Sequence, residues 1–432
     1  MTFTRLKKFT GLILCGSLIW AGPVFADAVT DWNEIAAAAV ATGRPGPIGQ
    51  PDLGLVQAAV HDAIQAYEKR FEPYYAAVKR KPAGSKVAAA VAAAHGVLVG
   101  FYPAQAATLT PTYLTYLANK GLTGDPGVVV GEAIAALYLP LKRPDPNPPL
   151  APFTGGTGIG EWRPIAPSTA MAFVPLGTFD PLTLTGPARF RAPPPPGVTS
   201  ARYTTDYNEV KAKGALTGST RTAEQTDIGH FWSDNFAVQL NRAMRAIVDK
   251  RVPRIGDRAR LFALANLAAA DALITAWDSK RYFNFWRPQT AIQQGDLDGN
   301  PNTAGDLNWK SLIANPPYPD YTSGANNIAG AILKSLELFF GRDNISFDVT
   351  SLAPLAVTKT RTYSSFSAAA QAVVDARVYL GIHFRFADTA ARTQGRRVAE
   401  WVHDHYLLPR DDDDKDHKDH KDHKDDGDHD RD

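Results

Sequence analysis

Pro316, Pro317 and Pro319 stand just ahead of a run in which Ile328, Ile332, Leu336 and Phe340 recur every fourth residue. That spacing predicts an amphipathic helix, and Leu333 and Phe339 widen its apolar face. The prolines forbid an earlier start. The helix must therefore begin at or next to Thr322-Ser323-Gly324-Ala325, and Gly341 stops it. Such a first turn offers free backbone N–H groups, a Ser hydroxyl and a Gly that admits a ligand close to the backbone, a combination suited to a tetrahedral oxyanion. An ordinary Ser-capped helix has the same sequence, because Ser is strongly favoured at N-caps. The rest of the chain has to decide between the two.

With 432 residues, 44% of them hydrophobic, the chain can bury a large core and is long enough for about two to three domain-sized units. Its formal charge of +2 conceals an asymmetry: residues 411–432 hold twelve Asp against four Lys and one Arg, a net of −7 that leaves +9 for everything before them. Met1 to Ala26 reads as a secretory signal, with Arg5, Lys7 and Lys8, an apolar run from Gly11 to Ala21 too short to span a bilayer, and Val24-Phe25-Ala26 as the cleavage site. The expectation is a secreted or periplasmic protein without a membrane-spanning segment. Cys15, the one cysteine, lies in that leader, so disulfides, thiolate metal ligands and cysteine nucleophiles are excluded from the mature chain.

Helical spacing recurs at Ala36 to Ala41, Leu55 to Tyr67, Val87 to Phe101 and Val128 to Leu141, and alternating strand patterns are scarce. An all-α fold of two helical bundles is predicted, residues 27–141 forming the first region and 216–408 the second. Residues 142–215 connect them, with Pro144, Pro146, Pro148, Pro149, Pro152, Pro164 and Pro193 to Pro196 making the part up to 198 irregular. In the second region Thr222 and Gln225 form a capping box ahead of Ile228, Phe231, Trp232, Phe236, Leu240 and Ile247. Arg258 to Trp277 is apolar nearly all round, as a helix in the middle of a bundle is. Ser323 to Phe340, Ala368 to Leu380 and Thr389 to Tyr406 complete the predicted helices. The tail, 409–432, is built on Asp-His-Lys triplets that cannot bury a core; it reads as a disordered solubility tail, with weak Ni²⁺, Cu²⁺ or Zn²⁺ binding as the other reading.

Three clusters carry chemistry. Lys280 and Arg287 bracket an aromatic run, Ser323-Gly324 opens a helix, and Arg377 and His383 close another. Singly, such cations lie on solvated faces and such a His is a hydrogen-bonded one. Together they supply three cationic groups, backbone donors and an imidazole, a set that suits phosphate or vanadate because Arg gives bidentate donors and Lys a point charge.

The spacing Lys280-x6-Arg287-Pro288, Ser323-Gly324, Arg377-x5-His383 resembles the three-part signature shared by vanadium-dependent haloperoxidases and the type 2 phosphatidic acid phosphatase superfamily. Trp32-Asn33, Ala59-Val60-His61-Asp62-Ala63, Phe285-Trp286-Arg287-Pro288 and Pro316 to Gly324 are similar to the large exported bacterial branch, so that the likeness spans most of residues 30–406. It implies that Lys280, Arg287 and Arg377 neutralise the equatorial oxygens of vanadate or phosphate, that Ser323 and the Gly324 N–H add hydrogen bonds, and that His383 bonds vanadium axially or attacks phosphorus. It also implies hydrogen peroxide, halide and small organic substrates as partners and no nucleic acid, with vanadium as the Lewis acid that polarises peroxide for attack by halide. Asp388 stands as orienter of the second His383 nitrogen or as N-cap of the last helix.

One position departs from the family pattern: the His that follows Ser-Gly, an acid–base group, is Ala325 here. General acid–base groups are worth about 10²- to 10⁴-fold, so turnover is expected to be impaired. Asn326 or Asn327 can offer a hydrogen bond there but no proton near neutral pH. The resemblance thus implies a weakened haloperoxidase, with a phosphatase working through a phosphohistidine and a catalytically silent oxyanion-binding protein as the alternatives.

Overall fold

The computed structural model describes residues 27–410; the leader read at Met1 to Ala26 and the acidic tail from Asp411 lie outside the described residues. Before the irregular stretch come α1 (Ala28–Gly43), α2 (Gln50–Glu68), α3 (Lys86–Phe101), α4 (Ala106–Asn119) and α5 (Gly127–Tyr138). After it come α6 (Ala201–Gly214), α7 (Ala223–Phe231), α8 (Phe236–Arg251), α9 (Ile255–Phe283), α10 (Pro288–Gln293), α11 (Gly324–Phe340), α12 (Phe366–Tyr379) and α13 (Arg385–His405). Among the described residues the one sheet is a hairpin, β1 (Phe347–Thr350) paired antiparallel with β2 (Thr360–Tyr363). The fold is all-α, as the spacing predicts.

Helix starts follow local chemistry. Asp27 and Thr30 cap α1 reciprocally, and Thr222 and Gln225 do the same for α7. The apolar face expected to run on from Ile228 to Ile247 is instead broken into α7 and α8, because the Asn235 side chain accepts the Val238 amide at 3.3 Å and starts a new helix. Helix α6 occupies the end of the stretch read as connector, capped by Ser200. Helix α4 lacks a broad apolar stripe, burying only Leu109, Tyr113 and Leu117, and it carries Pro111 in its first turns.

Helix α9 is the axis of the molecule. It packs along α2 on one side and against α11 and α13 on another, so both helical groups share one continuous core. By length and composition alone α9 would cross a membrane, which the sequence reading did not anticipate for any segment; 94% of its most apolar window is buried inside the protein. Asp271, midway along it and fully buried, accepts the Leu182, Thr183 and Leu184 amides at 2.6, 2.7 and 3.2 Å and so ties the irregular stretch to the core. Further on, the Arg191 guanidinium grips Asp278 with two bonds of 2.7 Å.

Helices α11 and α13 approach most closely at Gly395, where a Cβ would stand 2.2 Å from the Asn327 carbonyl oxygen. A Gly395→Ala substitution is expected to destabilise the protein by about 1–3 kcal/mol, the usual cost of overpacking a tight core. A denaturant melt checks it, and an unchanged midpoint would show that the two helices are free to separate.

Candidate oxyanion site

Five chain ends meet at one place. Lys280 projects from the last turn of α9, Arg287 caps α10, Ser323 caps α11, Arg377 stands in the last turn of α12, and His383 lies in the turn to α13. Lys280, Arg287, Ser323, Arg377 and His383 are all buried. The irregular stretch wraps them: Trp162 N–H donates to Asn284 O at 2.7 Å, Trp286 N–H to Gly160 O at 2.9 Å, and Ala172 N–H to Pro317 O at 2.8 Å.

Backbone carbonyls fix the cations without using up their donors. Lys280 Nζ donates to Pro319 O and Asp320 O at 2.7 and 3.0 Å, leaving a third proton. Arg287 donates through Nε to Tyr318 O and through Nη1 to Ile382 O, both at 2.6 Å, while its Nη2 has no partner. Arg377 is left with Nε and Nη2 unpartnered and sits 5.0 Å over the Phe236 ring. Buried donors are nearly always satisfied. Three buried guanidinium nitrogens on two residues thus have donors to give to a ligand.

The imidazole is held by a residue the sequence reading passed over. His383 Nδ1–H donates to Asp320 Oδ1 at 2.5 Å, which leaves Nε2 with its lone pair free to bond. Asp388 does not have this role, nor does it cap α13, which begins at Arg385 with no side-chain cap. Its Oδ1 accepts the Asn326 amide at 2.8 Å, and its charge interacts with Lys280 and Arg377 from the first turn of α13. Asp320 stands two residues before Thr322, in the motif itself; the Pro-x-Pro setting that aims a short carboxylate back at the imidazole has no periodic signature.

The helix start is not a plain cap. Ser323 occupies the N-cap position, yet its hydroxyl makes no capping bond. A Cβ at Gly324 would come within 2.9 Å of the Trp277 ring, so only glycine brings this turn so close to α9. Behind it, Thr322 Oγ1 donates to Gln394 Oε1 at 2.7 Å and accepts from Asn327 Nδ2 at 3.0 Å, so Asn327 is committed to the scaffold, as Asn326 is to Asp388.

Electrostatics favour an anion here. Burial, aided by Arg287, pushes Lys280 well below the ordinary lysine value, and burial lowers Arg377 to about 10. His383 is held well below its usual value by burial and by Arg287, Lys280 and Arg377. Burial raises Asp320 to about 7 against the pull of Arg287 and Lys280, and drives Asp388 well above the carboxylate range. Beside this cradle, Ala325 and Arg377 line a cavity of about 210 Å³ together with Trp277, Tyr318 and Phe236. The Tyr318 ring lies 5.0 Å from Lys280 Nζ and 4.8 Å from the Arg287 guanidinium carbon.

The fold is an all-α one whose helix ends build a cationic cradle around an oriented imidazole. Residues 260–411 match the family profile of the VCPO second helical-bundle domain. The chain is 28% identical over 266 residues to a vanadium chloroperoxidase of Curvularia inaequalis, an alignment covering 46% of this chain and 43% of that one; the chain thus spans less than half the length of this curated relative. It is similar in fold to the first bacterial vanadium-dependent iodoperoxidase (TM-score 0.75, 22% identity, 88% of this chain and 97% of that one). It is likewise similar to a holo-type bacterial vanadium-dependent chloroperoxidase (TM-score 0.68, 17% identity, 86% and 95%). Residues 260–411 are thus similar in sequence to the second helical-bundle domain of vanadium chloroperoxidases, and the described residues share the fold of bacterial vanadium-dependent haloperoxidases.

His383 is expected to stay neutral well below its ordinary value of 6.5, because burial and three cations all oppose the imidazolium. Nitrogen NMR of labelled histidines across an acid titration checks this; a signal assigned to His383 by its loss in His383→Ala, titrating near the ordinary value, would contradict the geometry.

Proposed function

We propose that the protein is a vanadium-dependent haloperoxidase-like oxidoreductase, exported after cleavage near Ala26, that uses hydrogen peroxide to oxidise halide and is weakened by Ala325. The observation that carries the proposal is the set of unpartnered buried nitrogens on Arg287 and Arg377 around an imidazole whose free nitrogen is aimed by Asp320. These residues fit vanadate. Arg287, Arg377 and Lys280 would neutralise its oxygens, Ser323 and the Gly324 N–H would add hydrogen bonds, and His383 Nε2 would bond the vanadium. Bound there, vanadate supplies a Lewis acid that activates peroxide without changing its own oxidation state.

The chain's own contribution is arrangement. Asp320 holds the Nδ1 proton, which fixes the tautomer and leaves the other nitrogen unprotonated with its lone pair free to bond. Burial strips water from the cations and strengthens their hold on an anion. Proton delivery is what the chain lacks: Ala325 has no ionisable group, and Asn326 and Asn327 are bonded elsewhere. Phosphate fits the same donors, which keeps hydrolysis through His383 as an outcome of the test.

Protein loaded with orthovanadate is expected to brominate a phenol indicator slowly with peroxide, and His383→Ala to abolish it. Ala325→His, for which the adjacent cavity has room, is expected to raise the rate, by up to about 10²- to 10⁴-fold. No gain would count against the whole assignment. Aryl phosphate hydrolysis in place of bromination would point to the phosphatase reading, and vanadate binding with neither activity to a silent binder. Asp320→Ala is expected to weaken orthovanadate binding about 10- to 100-fold, followed by vanadium NMR, through loss of imidazole orientation.

A further inference from the structure

Gln394, buried on α13, bonds three separate segments. Its Oε1 accepts Thr322 Oγ1 at 2.7 Å, and its Nε2 donates to Ser279 Oγ at 3.1 Å and to Phe190 O at 3.0 Å. Those partners leave the amide a single orientation. Ser279 Oγ spends its proton on Thr275 O at 2.8 Å and Phe190 O has none, so both must face the amide nitrogen. Thr322 Oγ1 already accepts Asn327 Nδ2 at 3.0 Å, and its own proton is left for Gln394 Oε1. The bonds from Asn327 through Thr322, Gln394 and Ser279 to Thr275 thus run in one direction. Two of these residues adjoin the cradle: Ser279 precedes Lys280 at the end of α9, and Thr322 precedes Ser323 at the start of α11.

We propose that Gln394 is a positioning residue that sets the spacing between Lys280 and the Ser323-Gly324 turn, and with it the width of the cradle. Apolar packing between α9 and α11 is non-directional and lets helices slide. Hydrogen bonds are directional. From the cradle side Lys280 Nζ ties α9 to Pro319 O and Asp320 O, and Gln394 ties α9 to the same turn through Ser279 and Thr322. One tie leaves a hinge; two fix the angle as well as the distance. Gly395, where a Cβ would stand 2.2 Å from the Asn327 carbonyl oxygen, lets α13 lie close enough for the amide to reach both. The precision matters, because a displacement of about 1 Å in a site of this kind costs about 10²-fold. The inference deepens the proposed function and rests on it for what the cradle holds, not for how the cradle is held.

Calorimetric titration of the full chain with orthovanadate and, separately, with phosphate tests this, beside deuterium exchange at residues 322–327. Gln394→Met, which keeps the bulk and loses the three bonds, is expected to bind both anions about 10- to 100-fold more weakly, the usual effect of losing a supporting bond behind a ligand. Phosphate is expected to lose more than orthovanadate, because its oxygens lie closer to the central atom and span a widened cradle less well. Exchange at residues 322–327 is expected to quicken about fivefold, the worth of one buried hydrogen bond. Leu98→Ala, a core truncation on α3, is expected to lower the melting midpoint and keep the wild-type affinities. Wild-type affinities in Gln394→Met, or equal losses for the two anions, would make Gln394 an ordinary packing residue and overturn the proposal. If Gln394→Met does not fold, as judged by its melt, Ser279→Ala and Thr322→Val, which each cut one end of the bridge, take its place with the same expectations. Faster exchange in Gln394→Met of a protein that binds neither anion would sink the oxyanion reading and leave the positioning role standing; anion binding indifferent to the substitution does the reverse.

Discussion

The burial of three cations in one place governs this structure. Moving a charged group out of water costs several kcal/mol even after relaxation, and like charges compound the cost. Lys280, Arg287 and Arg377 face each other with Asp320 and Asp388 as the carboxylates beside them, and Asp388 is driven toward its neutral form. Carbonyls from Pro319, Asp320, Tyr318 and Ile382 provide partial solvation. That solvation is incomplete, and burial accordingly lowers Lys280, Arg287 and Arg377 below their ordinary values.

That arrangement explains the long stretch between the helical groups. Loops cannot bury a cationic site by themselves, because their own backbone groups need partners. Here the stretch satisfies itself on the site's loops, through Trp162, Gly160 and Ala172, and on α9, through Asp271 and Asp278. Tyr321 Oη donates to Pro193 O at 2.6 Å, fixing the four-proline run against the Asp320–Ser323 turn. The stretch therefore acts as a second layer of scaffold that shields the cradle from water.

Much of this was legible in the residues. Helical periodicity located α2, α3, α9, α11 and α12, since an apolar face has to point at a core. The cationic residues and His383 could be paired with the helix start only through the resemblance of their spacing to a family signature, since each cluster alone reads as an ordinary solvated or hydrogen-bonded group. Helices α4 and α6 were hidden for want of a broad apolar face, and α7 and α8 ran together because their faces happen to be in phase across Asn235. Asp320 was missed for a different reason: its contact with His383 joins residues 63 positions apart, and nothing local distinguishes it from a turn Asp. Sequence proximity offered Asp388 either as the partner of His383 or as an N-cap, and three-dimensional proximity belonged to the other carboxylate.

Helix α9 has a consequence for how the protein is assembled. A helix with an 18-residue apolar window keeps out of membranes and aggregates only while its neighbours cover it. One of its covers, α2, belongs to the first helical group, while the lysine at its far end belongs to the second group's site. During synthesis the first group is made before α9 emerges, so the coat waits for the helix rather than the helix for the coat. Severed from residues 27–141, the second half would present the α2-facing side of α9 to solvent; the two halves are thus a single cooperative unit in manufacture, however separate they look as bundles.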